Sequence, residues 1–131
     1  MYGNSLTRSF NAVKHGAKRP DHGLRWLRDR IGKLSPMDRE VPWMAWPFID
    51  YITPRIVPGM RIFEWGSGAS TLFWLKHGAQ VTAVENEPKW ADFVEQTVAA
   101  HSTSEQNLTA RLEVRRVEVG VKTSDGLSQY V

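Results

Sequence analysis

Two acids and two glycines at fixed spacing mark out the centre of the chain. Glu64 comes two residues before Gly66, Gly68 follows, Ser70 and Thr71 open the next apolar run, and Glu85 lies 19 residues beyond Gly66. A glycine turn between a strand and a helix lets backbone come close to a ligand, and the helix N-terminus then offers unpaired N–H groups to negative charge. Gly66 and Gly68 fit that role, or they make a plain tight turn. Ser70 and Thr71 either cap the helix or donate hydroxyls to a ligand. A carboxylate at the end of the second strand, the place of Glu85, accepts hydrogen bonds from both hydroxyls of a ribose. The pattern predicts a nucleoside ligand, with a surface carboxylate at a strand end as the plainer reading of Glu85.

Two departures bear on which nucleoside. The dinucleotide fingerprint G-x-G-x-x-G/A is incomplete, because Thr71 stands at its last position, and no G-x-x-x-x-G-K-[ST] loop is present. Glu64 at the lip of the turn repels a diphosphate, since like charges about 4 Å apart cost on the order of 4 kcal/mol at an effective dielectric of 20. The same carboxylate attracts a ligand with a cationic end, unless a buried Arg or Lys claims it. S-adenosylmethionine has that makeup: a ribose, an ammonium, a sulfonium and one small carboxylate, with no phosphate.

The elements that position these residues follow from periodicity. Residues 61–65 and the β-branched run 80–85 read as strands, and 70–77 as a helix with Gly78 just past its end. Pro88 suits the first turn of another helix, in which Trp90, Phe93, Val94, Thr97 and Val98 share one face. After a polar loop at 101–107, residues 111–121 read as a third strand. Its apolar phase slips at Arg115-Arg116, which indicates a bulge or an edge strand. Upstream, residues 1–23 read as irregular. Leu24, Leu27, Ile31 and Leu34 predict a short amphipathic helix, and 43–52 a second helix with Pro47 near its start. Alternating strands and helices at this spacing imply right-handed crossovers and a parallel sheet.

Composition narrows the classes. The chain has 131 residues, 41% hydrophobic and 24% charged, which suits one soluble globular domain. It holds no cysteine, so disulfides, thiolate-bound zinc and thiol catalysis are excluded, and a cytoplasmic location is the expectation. The four histidines show no metal-ligand spacing, so no metal is expected. No apolar run reaches the roughly 20 residues a bilayer span needs. Residues 1–40 carry nine Lys and Arg against four Asp and Glu, whereas 41–131 carry eight against ten. A basic arm with a short helix (1–40) thus precedes a mildly acidic body (41–131). Among the six tryptophans, Trp65, Trp74 and Trp90 are expected as core or interface anchors, and Trp43 and Trp46 as packing residues.

The stretch "FEWGSGASTLFWLKHGAQVTAVENEPKW" resembles the first two motifs of class I, Rossmann-like, S-adenosylmethionine-dependent methyltransferases, over roughly residues 42–119. The likeness is to a group with an E-x-G-S-G-x-S-T core and a V-E-x-x-x-x-W strand end. It implies that Glu64, Gly66 and Gly68 line the methionine part of the cofactor, with Ser67, Ser70 and Thr71 as nearby donors. It also implies that Glu85 holds the ribose and that Asn86 sits at the adenine edge. Pro42-Trp43 resembles a covering element, which adds Trp43 to the cofactor-binding set. Where that family has a third glycine, this chain has Ser70.

The expected fold is therefore an α/β, Rossmann-like parallel sheet in strand order 3-2-1 with N-terminal helices. The family's later strands are missing, so the resemblance reads as an N-terminal fragment, prone to self-association or to pairing with a missing C-terminal half. Catalytic residues and the methyl acceptor are not assigned, and catalysis by this chain alone is not expected. Two alternatives stay open: a non-catalytic interaction or nucleic-acid-binding module using the basic arm, and a fragment of an NAD(P)-dependent oxidoreductase.

Overall fold

The computed structural model describes residues 20–31 and 35–118. Along the chain run α1 (Pro20–Ile31), α2 (Trp46–Ile52), β1 (Arg61–Trp65), α3 (Ala69–Lys76), β2 (Gln80–Glu85), α4 (Pro88–His101) and β3 (Leu112–Arg116). Short 3-10 turns, Thr53–Arg55 and Thr109–Arg111, follow α2 and precede β3. Pro47 and Pro88 stand in the first two positions of α2 and α4, where a missing N–H costs nothing. Gly78 ends α3 in the left-handed region at φ +93°, packed against the Cα of Pro58. Its turn leads straight into β2.

The three strands are parallel. Residues 61–65 pair in register with 80–84, and 81–85 with 112–116. The order is β1-β2-β3, with β2 central; counted from the opposite edge the same adjacency reads 3-2-1. These observations show a small α/β fold with a parallel sheet. Arg115 and Arg116 pair with Val84 and Glu85 without interruption, so the apolar phase slip is not a bulge. It marks the end of an edge strand at Arg116. Val119 and Val121 lie outside the described residues.

Register divides the sheet into two unlike faces. Ile62, Val81 and Leu112 lie abreast and belong to the core, which α3 and α4 close with Leu72, Leu75, Val94 and Val98. On the other face Phe63, Thr82 and Glu113 lie abreast, and Phe63 is exposed. That face is not uniformly apolar.

Two expected helix faces differ from what forms. In α1, Leu24 and Ile31 are 69% and 74% exposed. The helix is held instead by its other side: buried His22 meets Asp50 Oδ2 at 2.8 Å, Arg25 donates to Asp50 Oδ1 at 2.8 Å, and the Arg25 guanidinium lies 5.1 Å from the Trp46 ring. Its residues 20–23 are helical, within the stretch read as irregular. Leu34 lies outside the described residues. In α4 the buried stripe is Ala91, Val94 and Val98, while Trp90 and Phe93 stay exposed and stack on each other at 5.2 Å. Of the tryptophans read as anchors, Trp74 is buried and Trp65 is 79% exposed. No described helix is long and apolar enough to cross a membrane.

Core and stripe should respond very differently to truncation. Leu72→Ala, at a fully buried site, is expected to cost about 3 kcal/mol in urea unfolding. Leu24→Ala should stay within about 0.5 kcal/mol of the parent.

Candidate functional site

The turn between β1 and α3 sits at the C-terminal ends of β1 and β2, where open α/β sheets take ligands. Gly66 carries the sharp bend at φ +80°, which side chains disfavour, and its N–H donates to Val84 O at 2.7 Å. Gly68 is extended and buried; a Cβ there would point at the Trp90 ring, 3.9 Å away. The first helical bond of α3 runs from Leu72 N–H to Gly68 O. The amides of Ala69, Ser70 and Thr71 thus have no intrahelical acceptor.

Both acids brace this turn. Glu85 is buried, and four donors reach its carboxylate. Ser67 N–H at 2.9 Å and the Ser67 hydroxyl at 3.1 Å donate to Oε2; Asn86 and Glu87 N–H donate to Oε1 at 2.9 and 3.0 Å. Burial pushes its pKa up more than any single contact pulls it down, but the four hydrogen bonds together outweigh burial, and the net direction is downward. Glu64 differs. It is half-buried beneath α3, and burial pushes its carboxyl above the usual range despite hydrogen bonds from Thr71, Ser70 and Trp74. Thr71, fully buried, accepts from Gly68 N–H at 2.9 Å and donates to Glu64. No described Lys or Arg pairs with Glu64.

Beside the turn lies a cavity of about 310 Å³, lined chiefly by Met37, Trp43, Ser67, Gly68, Ser70 and Trp90. Among the described residues no charged side chain lines it. The Trp90 indole N–H donates to Ser67 O at 2.7 Å, which fixes that ring over the turn. The opposite wall is held by Glu40, which meets both Lys76 on α3 and His101 Nε2 on α4, the latter at 2.8 Å.

The structure thus brings Trp43, Ser67, Gly68 and Ser70 together around one space. Glu64, Thr71 and Glu85 stand behind them as supports, and the lip is formed by Ser67 and Gly68 rather than by Glu64. Gly66 and Asn86 are exposed, and Asn86 contributes its backbone N–H to Glu85. Of the lining residues, Ser35, Pro36, Met37, Ala69 and Trp90 escaped sequence reasoning. The signal for Trp90 was its place in the first turn of α4, five residues after Glu85.

Folding also gathers Asp21, His22 and Asp50, whose ligand atoms lie within 4.8 Å of one another. Arg25 already supplies a cation to Asp50, and the cluster ties α1 to α2.

The opposite pKa directions give opposite pH dependences. Glu85, depressed in the fold, contributes stability above the unfolded carboxylate pKa and loses it as pH falls through the folded value. Glu64, raised in the fold, favours folding below the unfolded value and costs stability as pH rises through the folded one. Glu85→Gln should therefore cost about 2 kcal/mol at pH 7 in urea unfolding, because an amide turns N–H groups toward N–H donors. That loss should shrink in acid. Glu64→Gln should be neutral or stabilising at pH 7, with its advantage fading in acid.

Compared with models of known protein families, with curated proteins and with solved structures, the chain matches none.

Proposed function

We propose that the cavity beside the glycine turn binds S-adenosylmethionine, and that the chain carries the cofactor half of a Rossmann-like methyltransferase. The observation that carries this reading is the braced turn itself: a left-handed glycine and a helix N-terminus with free amides, both held by a carboxylate at the end of β2. Such a turn suits one small carboxylate on the amides and a ribose toward Glu85. All four acceptor positions of Glu85 are used, so ribose hydroxyls must displace the Ser67 hydroxyl, the longest of its four bonds.

The choice against a dinucleotide rests on charge. A diphosphate needs cations or an unopposed helix dipole. Among the described residues the cavity offers no Lys or Arg, and the Glu64 carboxyl beneath α3 opposes the dipole when ionised. Trp43 and Trp90 supply π-faces that suit both an adenine and a sulfonium. In this reading Asn86, exposed beside Glu85, borders the adenine, and methyl transfer itself needs little beyond aim and exclusion of water. The reading assigns no base and no acceptor to this chain.

Titration calorimetry is the direct test. S-adenosylhomocysteine should bind saturably at one site and NADH should not. Trp90→Ala should weaken binding about tenfold, the loss of one aromatic or cation–π contact. Tighter binding of NADH, or no binding of either, contradicts the reading.

A further inference from the structure

The sheet face that no described element covers is built unlike a surface awaiting a helix layer. Parallel sheets covered on both sides are apolar on both. Here Arg61, Phe63 and Trp65 share one face of β1, since side chains two apart on a strand point the same way. Phe63 and Trp65 are 55% and 79% exposed and meet edge to face at 5.2 Å. A groove of about 840 Å³ crosses the strands on this face, lined among others by Arg61, Phe63, Thr82, Arg111, Glu113 and Arg115. The carboxylate of Glu113 is taken up by Arg115 Nε at 2.9 Å and the Thr82 hydroxyl at 3.2 Å. Arg61 has no carboxylate partner among the described residues. Three guanidinium groups thus line a groove that holds one carboxylate: Arg115 pairs with it, Arg111 donates to Ala79 O at 3.4 Å, and Arg61 is left over, beside two exposed aromatic rings.

That combination selects among occupants. An apolar helix would bury the Arg61 guanidinium without a counter-charge, which is costly. A second copy stacked face to face would set guanidinium against guanidinium. An extended polyanion with flat bases satisfies both features at once: phosphates pair with the arginines and bases stack on Trp65 and Phe63. We propose that this face, rather than the basic N-terminal segment, binds single-stranded nucleic acid. None of the groove's residues lines the cofactor cavity, so the proposal stands apart from the methyltransferase reading.

The test is fluorescence anisotropy of labelled oligouridine and oligothymidine twelve-mers titrated with the full chain at several salt concentrations. Both should bind, because stacking and phosphate pairing use nothing that the 2′-hydroxyl supplies, and affinity should fall with salt. Trp65→Ala should weaken binding about tenfold, within the range for loss of one stacked base. Arg61→Glu should weaken it and lower the salt slope by about one. Arg28→Glu, an equal charge change on exposed α1, should have a smaller effect. Both test residues are exposed, and circular dichroism checks that the variants fold.

Three results would overturn the proposal. One is no saturable binding of either oligomer. Another is binding that Trp65→Ala and Arg61→Glu leave within twofold, including the case where Arg28→Glu abolishes it. The third is sedimentation showing a dimer that Trp65→Ala dissociates, which would make this face a contact between copies.

Discussion

One carboxylate holds together the two turns at the C-terminal ends of β1 and β2. Glu85 ends β2, and its two oxygens reach in different directions: one to Ser67 in the β1–α3 turn, the other to Asn86 and Glu87 ahead of α4. A parallel sheet gives neighbouring strand ends no direct link beyond the ladder, so the loops above it must be fastened by side chains. Here the fastening is ionic and local. It fixes Ser67, whose carbonyl in turn anchors the Trp90 indole, and Trp90 forms a wall of the cavity. Backbone turn, aromatic wall and cavity all trace back to one buried charge that is stabilised by four donors.

Glu64 and Glu85 show how environment separates two chemically identical groups. Both stand at strand ends, 21 positions apart in the chain. Glu85 collects backbone N–H groups and stays ionised in spite of burial. Glu64 receives mainly hydroxyl and indole donors beneath α3 and is pushed toward its neutral form. The first is a structural anchor for the loops on either side of it. The second moderates the field at the helix N-terminus, from behind the turn rather than at its edge.

Much of this arrangement was legible from residue order alone. The β-branched run at 80–85, Pro88, Gly78 and the Gly66–Gly68 pair placed β2, α4, the end of α3 and the turn, because each acts through local backbone geometry. The register, and with it which acids meet which donors, was not legible. Glu85 reads as a ligand-facing carboxylate in one dimension, and only the distance to Ser67 shows it turned to its own loops. The apolar positions of α1 looked like a buried stripe, but His22 and Arg25 find Asp50 and Trp46 on the opposite side and decide the helix's orientation. Trp90 and Phe93 fit a helical stripe by spacing, yet Ala91, Val94 and Val98 take the buried face, so the two rings stay exposed against each other and Trp90 lines the cavity. Trp65 looked like an anchor because large aromatics usually are; strand alternation sets it on the face that no described element covers.

The two faces of the sheet therefore serve different ends, with packing on one and exposed chemistry on the other, and the strand ends between them carry the braced turn. The most direct measurement of that brace is an amide ¹H–¹⁵N pH titration. If one ionised carboxylate holds both loops, the Ser67, Asn86 and Glu87 amide resonances will shift together, with a single shared midpoint below the ordinary glutamate value. Independent midpoints, or a shared one at or above the ordinary value, would contradict a turn held by the Glu85 charge.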